Sequence, residues 1–453
     1  MTDILDLPGW KALSASTEDG RLVIEGEYTK QPDACQLCGV IGALYKHGPR
    51  AITFMDSPVR GSPARVAAKV QRYKCRECGG TFLQPLEGVE VERRMTKRCL
   101  QYIQEQCLRD TFQRVAEHLG CDEKTVRNVA SDYIDAKHEA YKPYLPEWIG
   151  LDETHLNKVM RAIITDVDKN RPVDLLPDRD KPTLMAWFGQ FPDRSHVKGL
   201  TIDMWGPYRD VAGLMFKDLP VVIDKFHVVK KANESIERTR VRLGKTQTAG
   251  VRRNWMRSKA LLRMRYRDLS EKQRFNLDMW LANEPEVAEA YRLKERLYDI
   301  YEMPKRFAIK AFDSYPETVP AGLKKDFHEL TRAMKNWRKE ILNYFDHPIT
   351  NAYTEAVNGV AKVENRMGRG YSFEVIRARI LFNERLPSAR TQRAKVAASK
   401  TKEKPMTRCE WCLGLFTFIE RHESGGRIFT VCPTCHRRFH MEEGFSHGLP
   451  STT

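Results

Sequence analysis

The 453-residue chain has no run approaching the roughly 18 to 20 consecutive apolar residues of a membrane-spanning helix. Its first twenty residues, Met1 to Gly20, lack both a basic start and a long apolar stretch. These absences predict a protein that is neither exported nor embedded in a membrane and that works in the cytoplasm. Acidic residues are in deficit: 60 Asp and Glu stand against 76 Lys and Arg, a formal charge of +16 that suits a polyanion, nucleic acid above all. Internal repeats are missing beyond a shared cysteine spacing. An apolar content of 41% excludes a mainly disordered chain and is ample for the two to four domains that this length implies.

A disulfide scaffold is excluded by how the 11 cysteines are placed, because eight fall into C-x-x-C pairs: Cys35/Cys38, Cys75/Cys78, Cys409/Cys412 and Cys432/Cys435. Zinc takes four thiolate or imidazole ligands in a tetrahedron, and two such knuckles close one site. The nineteen residues between Cys412 and Cys432 are ordinary for a four-cysteine module, whereas the interval from Cys38 to Cys75 is longer than usual. Two structural zinc ions are expected, one at each end of the chain, each in a module too poor in apolar residues to fold unaided. His47, His436 and His440 are alternative ligands, read here as surface residues. Cys99, Cys107 and Cys121 sit singly in helical sequence as small hydrophobes.

The pattern along the chain predicts a multidomain α/β protein. Short strands and turns around the first cysteine pairs make a zinc module over residues 1–92. Apolar residues at helical spacing predict three helices in 93–140. Within these, Phe112, Val115, Ala116 and Leu119 precede a turn at Gly120, and Asp122 can cap the next helix, which is helix-turn-helix punctuation. That second helix buries Val126 and Val129 and turns Lys124, Thr125, Arg127 and Asn128 outward, a set able to contact phosphates and base edges in a major groove. Strand-like runs at 147–151, 161–167, 197–202 and 219–223, with helices near 182–191 and 207–216, predict a mixed sheet in 145–231. A proline-poor helical block follows over 232–345. It begins with 238–267, which holds eleven Lys or Arg and no acid, so that Arg252, Arg253 and their neighbours are expected to line a groove for DNA backbone. Trp255, Trp280 and Trp337 are expected in its core. Two helices around a Gly-rich turn at 367–370 occupy 346–386, a basic linker spans 387–406, and the second zinc module occupies 407–453.

Phosphodiester chemistry needs hard divalent ions, and these need carboxylates projected from rigid elements into one pocket. Three apolar runs end in an acid: Asp152 after Trp148–Leu151, Asp203 after Gly199–Ile202, and Asp224 after Val221–Ile223. One such residue would be an ordinary turn or cap; three in succession point to a metal site. Downstream, Glu355, Asn358, Lys362 and Arg366 share one helix face, on which the acid could bind metal while Lys362 and Arg366 hold the DNA backbone.

These segments resemble the transposases of the ISL-three group of bacterial insertion sequences, members of the DDE superfamily with an RNase H-like catalytic domain. The likeness rests on Ile149-Gly150-Leu151-Asp152-Glu153, on Ile202 to Tyr208, on Asp224-Lys225-Phe226-His227-Val228-Val229-Lys230, and on Thr350-Asn351-Ala352 through Glu355, Asn358 and the turn from Arg366 to Tyr371. It extends from the first zinc module to about Leu386 and leaves out the terminal one. The resemblance implies an RNase H-like mixed sheet with an all-α insertion and a triad of Asp152, Asp203 and Glu355 holding two Mg²⁺ or Mn²⁺ ions. It also implies that Asp224 opens a D-x-x-H signature whose His227 lies near the scissile phosphate. Asp224 could be counted as the second acid instead; the strand order of the fold favours Asp203. The function implied is cleavage and strand transfer at the terminal inverted repeats of an insertion sequence and in target DNA, by a homodimer on paired ends in the bacterial nucleoid. A non-catalytic regulator, or a nuclease that cuts without joining, are the rival readings.

Overall fold

The computed structural model describes residues 5–383 together with four short strands in 407–431. The chain divides into two units, Met1–Leu386 and Pro387–Thr453.

The first unit opens with a seven-stranded sheet. Its strands are β1 (Trp10–Glu18), β2 (Arg21–Tyr28), β3 (Leu44–Val59), β4 (Ser62–Cys75), β5 (Thr81–Leu83), β6 (Val89–Glu90) and β7 (Met95–Thr96), in the order β1-β2-β4-β3-β7-β6 with β5 on β4. The expected short strands are thus corrected. The long interval between the cysteine pairs is one antiparallel hairpin, with strands of 16 and 14 residues, whose open end pairs Leu44 with Cys75 and so brings the two knuckles together. The module also has a core of its own, including Trp10, Ile24, Phe54, Val66 and Val70, where too few apolar residues to fold unaided were expected. Alternating buried residues on β4 (Val66, Ala68, Val70) contribute to that core, a strand period that the cysteine spacing did not reveal.

Three helices follow: α1 (Lys97–Gln106), α2 (Phe112–Leu119) and α3 (Glu123–Ala140). The turn between α2 and α3 uses the expected punctuation. Gly120 takes the left-handed conformation at φ 58°, and Asp122 accepts a hydrogen bond from the Lys124 amide at 2.7 Å. Phe112, Val115, Ala116, Leu119, Val126 and Val129 are buried. The helix pair is held from two sides. Arg65 of β4 donates to the carbonyls of Leu119 and Gly120 at 2.9 and 2.8 Å, and Phe112 packs on Tyr371 with ring centroids 4.7 Å apart.

The second sheet is built from β8 (Trp148–Leu156), β9 (Val159–Asp166), β10 (Arg171–Leu175), β11 (Gly199–Ile202) and β12 (Val221–Ile223), in the order β10-β9-β8-β11-β12. The first three are antiparallel neighbours, while β11 pairs in parallel with both β8 and β12, which is the RNase H-like arrangement. Helices α4 (Lys181–Gly189) and α5 (Gly206–Met215) make the crossovers. Strand β10 is absent from the sequence reading, because Pro172 and Asp174 interrupt its apolar run and a register shift lies between them.

Helix α6 (Lys225–Gly244) starts directly after β12 and runs without a break across position 231/232 into the helical insertion. The insertion continues with α7 (Ala249–Arg263), α8 (Glu271–Asn283), α9 (Pro285–Ile300), α10 (Lys305–Ser314), α11 (Lys324–Asn336) and α12 (Arg338–Leu342). Trp255 and Trp337 are buried, and Trp280 packs 5.6 Å from Trp255, so all three are core residues. The chain returns to the second sheet through α13 (Ala352–Met367) and α14 (Phe373–Phe382). Gly150 decides how closely α13 approaches β8. A Cβ there would collide with the hydroxyls of Thr165 and Thr354 and the side chain of Asn351, so a larger residue would push the helix away.

In the second unit, β13 (Thr407–Arg408) pairs with β14 (Leu415–Phe416), and β15 (Glu420–Ser424) with β16 (Arg427–Val431), both antiparallel. Cys409, Cys412, Cys432, Cys435, His436 and His440, and the linker expected at 387–406, lie outside the described residues. No helix among the described residues is long and apolar enough to cross a membrane.

Candidate active site and zinc centre

The sheet register places the first two acids side by side. Strand β8 is central and buried on both faces, and its Leu151 lies opposite Ile202 of the parallel neighbour β11. Asp152, in mid-strand where a strand end was expected, and Asp203, directly after β11, therefore stand at the same level. Helix α6 adds His227, whose Nδ1 is 3.0 Å from Asp203 Oδ1, and one ligand atom from each of Asp152, Asp203 and His227 lies within 4.8 Å of the others. Helix α13, seated on Gly150, brings Glu355 Oε1 to 3.6 Å from His227 Nε2.

Asp224 occupies a different position. It is 2% exposed and caps α6, where Oδ1 accepts from the Phe226 amide at 2.8 Å and Oδ2 accepts from the Asn351 amide at the start of α13. Both of its oxygens are used by backbone.

Electrostatics distinguish the members of the group. Burial pushes the Asp152 carboxyl up to about 6; the charges of Asp203 and Glu153 act in the same direction, against the Glu153 amide and His227. Burial would also raise Asp203, but the hydrogen bond and charge of His227 outweigh it and hold the carboxyl below its usual range. His227 is raised: burial disfavours the imidazolium, yet the Asp203 hydrogen bond and the charges of Asp203, Asp152 and Asp224 prevail. Glu355 is raised by burial, with Asp224 and Asp152 adding to it. Carboxylates this close, offset by the His227 imidazole and, for Asp203 and Glu355, by the charge of Lys230, suit a hard cation. Among the described residues His227 Nε2, which is buried, has no hydrogen-bond partner, and Glu355 Oε1 stands 3.6 Å from it.

Two neighbours of Asp152 escaped the sequence reading. Asn358 was placed on one helix face with Glu355 but given no role; it is buried and donates from Nδ2 to Asp152 Oδ2 at 2.8 Å. Tyr208 donates from its hydroxyl to the Asp152 carbonyl at 3.2 Å. The i, i+3 spacing from Glu355 was the one available signal for Asn358; a partner 206 residues away leaves none.

Lys362 and Arg366 are exposed further along α13, and Lys124, Arg127 and Asn128 are exposed on α3, with Thr125 half-buried. Arg127 also pairs with Glu123 at 2.6 Å. The basic run 238–267 is less uniform than its sequence implies. Arg240 pairs with Glu237, Arg242 with Glu286 and Asp326, and Arg265 and Arg267 with Glu302, so these four hold the insertion together. Arg252, Arg253 and Arg257 of α7 are exposed and form no ion pair among the described residues.

Cys35, Cys38, Cys75 and Cys78 converge as expected. The Cys35–Cys78 and Cys38–Cys75 sulfur distances are both 3.8 Å, which is the edge, about 3.8 Å, of a tetrahedron with zinc–sulfur arms of about 2.3 Å. His47 is exposed and stands outside this group. Cys99 and Cys107 are fully buried thiols, each pushed up to about 12 by burial, in keeping with an apolar role.

Comparison with known proteins agrees with this anatomy. Residues 31–78 match the zinc-finger of the transposases IS204, IS1001, IS1096 and IS1165, and residues 84–134 match the helix-turn-helix domain of transposase family ISL3. Residues 149–380, just over half of the chain, match the ISL3 DDE transposase model. The chain is 26% identical over 356 residues to the transposase for insertion sequence element IS1001 of Bordetella parapertussis, covering 76% of this chain and 87% of that one. It is 25% identical over 251 residues to the transposase for IS1557 of Mycobacterium tuberculosis, covering 49% of this chain and 56% of the relative. The zinc ribbon, the helix-turn-helix and the DDE domain follow one another along the chain, each matching a model of the same family, and the chain belongs to the ISL3 family of DNA transposases.

Proposed function

We propose that Asp152, Asp203 and Glu355 are the acid triad of this transposase and hold two divalent ions, Mg²⁺ or Mn²⁺, for cleavage at the terminal inverted repeats and joining to target DNA. The observation that carries this reading is the convergence of Asp152, Asp203 and His227, with Glu355 against the far side of the imidazole. Bound there, the ions would supply Lewis acidity for in-line displacement at phosphorus. The chain's own residues do the rest. Asn358 orients the Asp152 carboxylate, and His227 presents Nε2 to the scissile phosphate. Lys362 and Arg366 hold the backbone beyond it. Asp224 acts from behind, joining the helix that carries His227 to the one that carries Glu355.

In this reading Lys124, Thr125, Arg127 and Asn128 read base edges, and Arg252, Arg253 and Arg257 bind phosphates without regard to sequence. Functionally the chain comprises a zinc module (1–92), a helix-turn-helix domain (93–140), a catalytic domain in two parts (145–231 and 346–386), the insertion (232–345) and a terminal zinc module (407–453) holding a second zinc through Cys409, Cys412, Cys432 and Cys435. It acts as a homodimer on paired ends, at the bacterial nucleoid.

The test is to incubate the protein with labelled element ends and a target plasmid, with and without Mg²⁺, beside Asp152→Asn, Asp203→Asn and Glu355→Gln. Joined products from wild type, and end binding without cleavage from all three variants, are expected. Cleavage that never proceeds to joining would favour a nuclease, and binding without any Mg²⁺-dependent product would favour a regulator.

A further inference from the structure

Phe226 is a large apolar side chain left 51% exposed in a segment where Val222, Ile223, Asp224, Val228 and Val229 are all buried. A single exposed apolar residue is ordinary on a protein surface. Its place is what distinguishes this one. It precedes His227, its ring centroid is 5.8 Å from the imidazole, and the imidazole lies 3.0 Å from Asp203 and 3.6 Å from Glu355. Among the described residues the phenyl ring makes no other ring contact. Two other aromatic side chains beside the acids are already covered: Tyr208 is fully buried, and Trp205 has the Arg179 guanidinium 4.3 Å from its ring and the edge-on Tyr208 ring 4.8 Å away.

The backbone beneath Phe226 is tied by hydrogen bonds. Its amide donates to Asp224 Oδ1 at 2.8 Å, while Asp224 Oδ2 accepts from the Asn351 amide. The backbone that carries the ring is thus tied to both helices that bring side chains to the acid group, as suits an element that must hold a substrate in register. Successive phosphates along a DNA strand are separated by only about 3.4 Å of helix axis. A phosphate delivered to Asp152 and Asp203 therefore carries its adjoining nucleotide past this ring.

We propose that Phe226 is a base-stacking residue: the nucleotide adjoining the scissile phosphate leaves the duplex stack and lies on the Phe226 ring, which positions that phosphate at the acid group. This rests on the reading of Asp152, Asp203 and Glu355 as the catalytic site. A phenyl ring offers a π face and no hydrogen-bonding group, so it accepts any base and contributes position rather than sequence choice.

The experiment uses the full chain and a duplex of the element end with 2-aminopurine, which brightens when unstacked, on either side of the scissile phosphate. Asp152→Asn holds the complex uncut. A rise in fluorescence with Asp152→Asn that is absent with Asp152→Asn/Phe226→Ala supports the proposal; the same rise with both, or none with either, overturns it. In single-turnover cleavage Phe226→Ala should be slower by about 5- to 150-fold, the range of one base stack. Phe226→Trp should keep the rate, and Phe226→Leu, apolar without a ring, should fall with Ala. Leu at the wild-type rate would overturn stacking. If Asp152→Asn itself cut normally, the site reading would fail, and the proposal with it. A thermal melt of Phe226→Ala unchanged from wild type, as its exposure leads one to expect, assigns the rate loss to DNA.

Discussion

Replacing Asp203 and Asp224 one at a time by Asn should separate chemistry from stability, because the two carboxylates spend their oxygens differently. In Asp224→Asn one oxygen can still accept the Phe226 amide, but the new amide nitrogen faces the Asn351 amide, donor against donor, in a site 2% exposed. Orphaning a buried N–H costs about 1 to 3 kcal/mol, and the surviving bond loses its charge assistance, so a loss of about 2 to 4 kcal/mol is expected. Cleavage should fall only about tenfold, through small displacement of α13 and α6 rather than loss of a metal ligand. The Asp203 side chain is 25% exposed, and relief of its repulsion with Asp152 offsets much of the lost pairing with His227. Asp203→Asn should therefore change stability by no more than about 1 kcal/mol while lowering cleavage by about 10³-fold or to nothing, as when a charge partner of the transition state is removed. Urea unfolding and single-turnover cleavage of a labelled element end, on the same preparations, measure both quantities. The reasoning is refuted if Asp203→Asn cuts at near the wild-type rate while Asp224→Asn is as stable as wild type and cuts nothing; Asp224 would then be the second triad acid.

Cys75→Ser should abolish zinc binding by the first module and free the knuckles, yet the strands around Phe54, Val66 and Val70 should keep their hydrogen-exchange protection, since they have an apolar core; loss of protection throughout the sheet would contradict this. Arg252→Gln, Arg253→Gln and Arg257→Gln together should flatten the salt dependence of DNA binding, by about 0.9 in log–log slope for each phosphate that is no longer neutralised, without altering base preference, whereas Asn128→Ala should alter preference. The fully buried Lys294 donates to the Leu262 carbonyl at 3.1 Å and to that of Met264, and burial pushes its ammonium down to about 8 against the pull of Glu295. The unfolded chain, with a lysine near 10.4, holds a proton the folded one has released between these values, so stability should rise with pH across that window. Relative to Lys294→Met the rise should be about 3 kcal/mol, and a pH-independent difference between the two proteins would refute it.

The features legible in the sequence were those whose cause is local. Gly120 was readable as a turn because its left-handed φ favours glycine, and Asp122 as a cap because its side chain reaches an amide two residues on. The C-x-x-C pairs announced zinc because thiolate chemistry at that spacing has few other uses in a reduced protein. Acids after apolar runs likewise marked Asp152, Asp203 and Asp224 as candidates, although only Asp203 and Asp224 follow strand ends while β8 continues past Asp152 to Leu156. Sequence could not say which of the three face one another, because that depends on the parallel register of β8 with β11 and on the amides of Phe226 in α6 and Asn351 before α13 each taking one Asp224 oxygen. Nor could it show that the interval between the first cysteine pairs is a long hairpin with a core beneath it, that Asn358 turns inward to Asp152, or that Arg242 and Arg265 meet acids far along the chain. Each of these is a contact between residues remote in sequence, set by which apolar faces must be buried together, and short-range conformational preference carries no record of it.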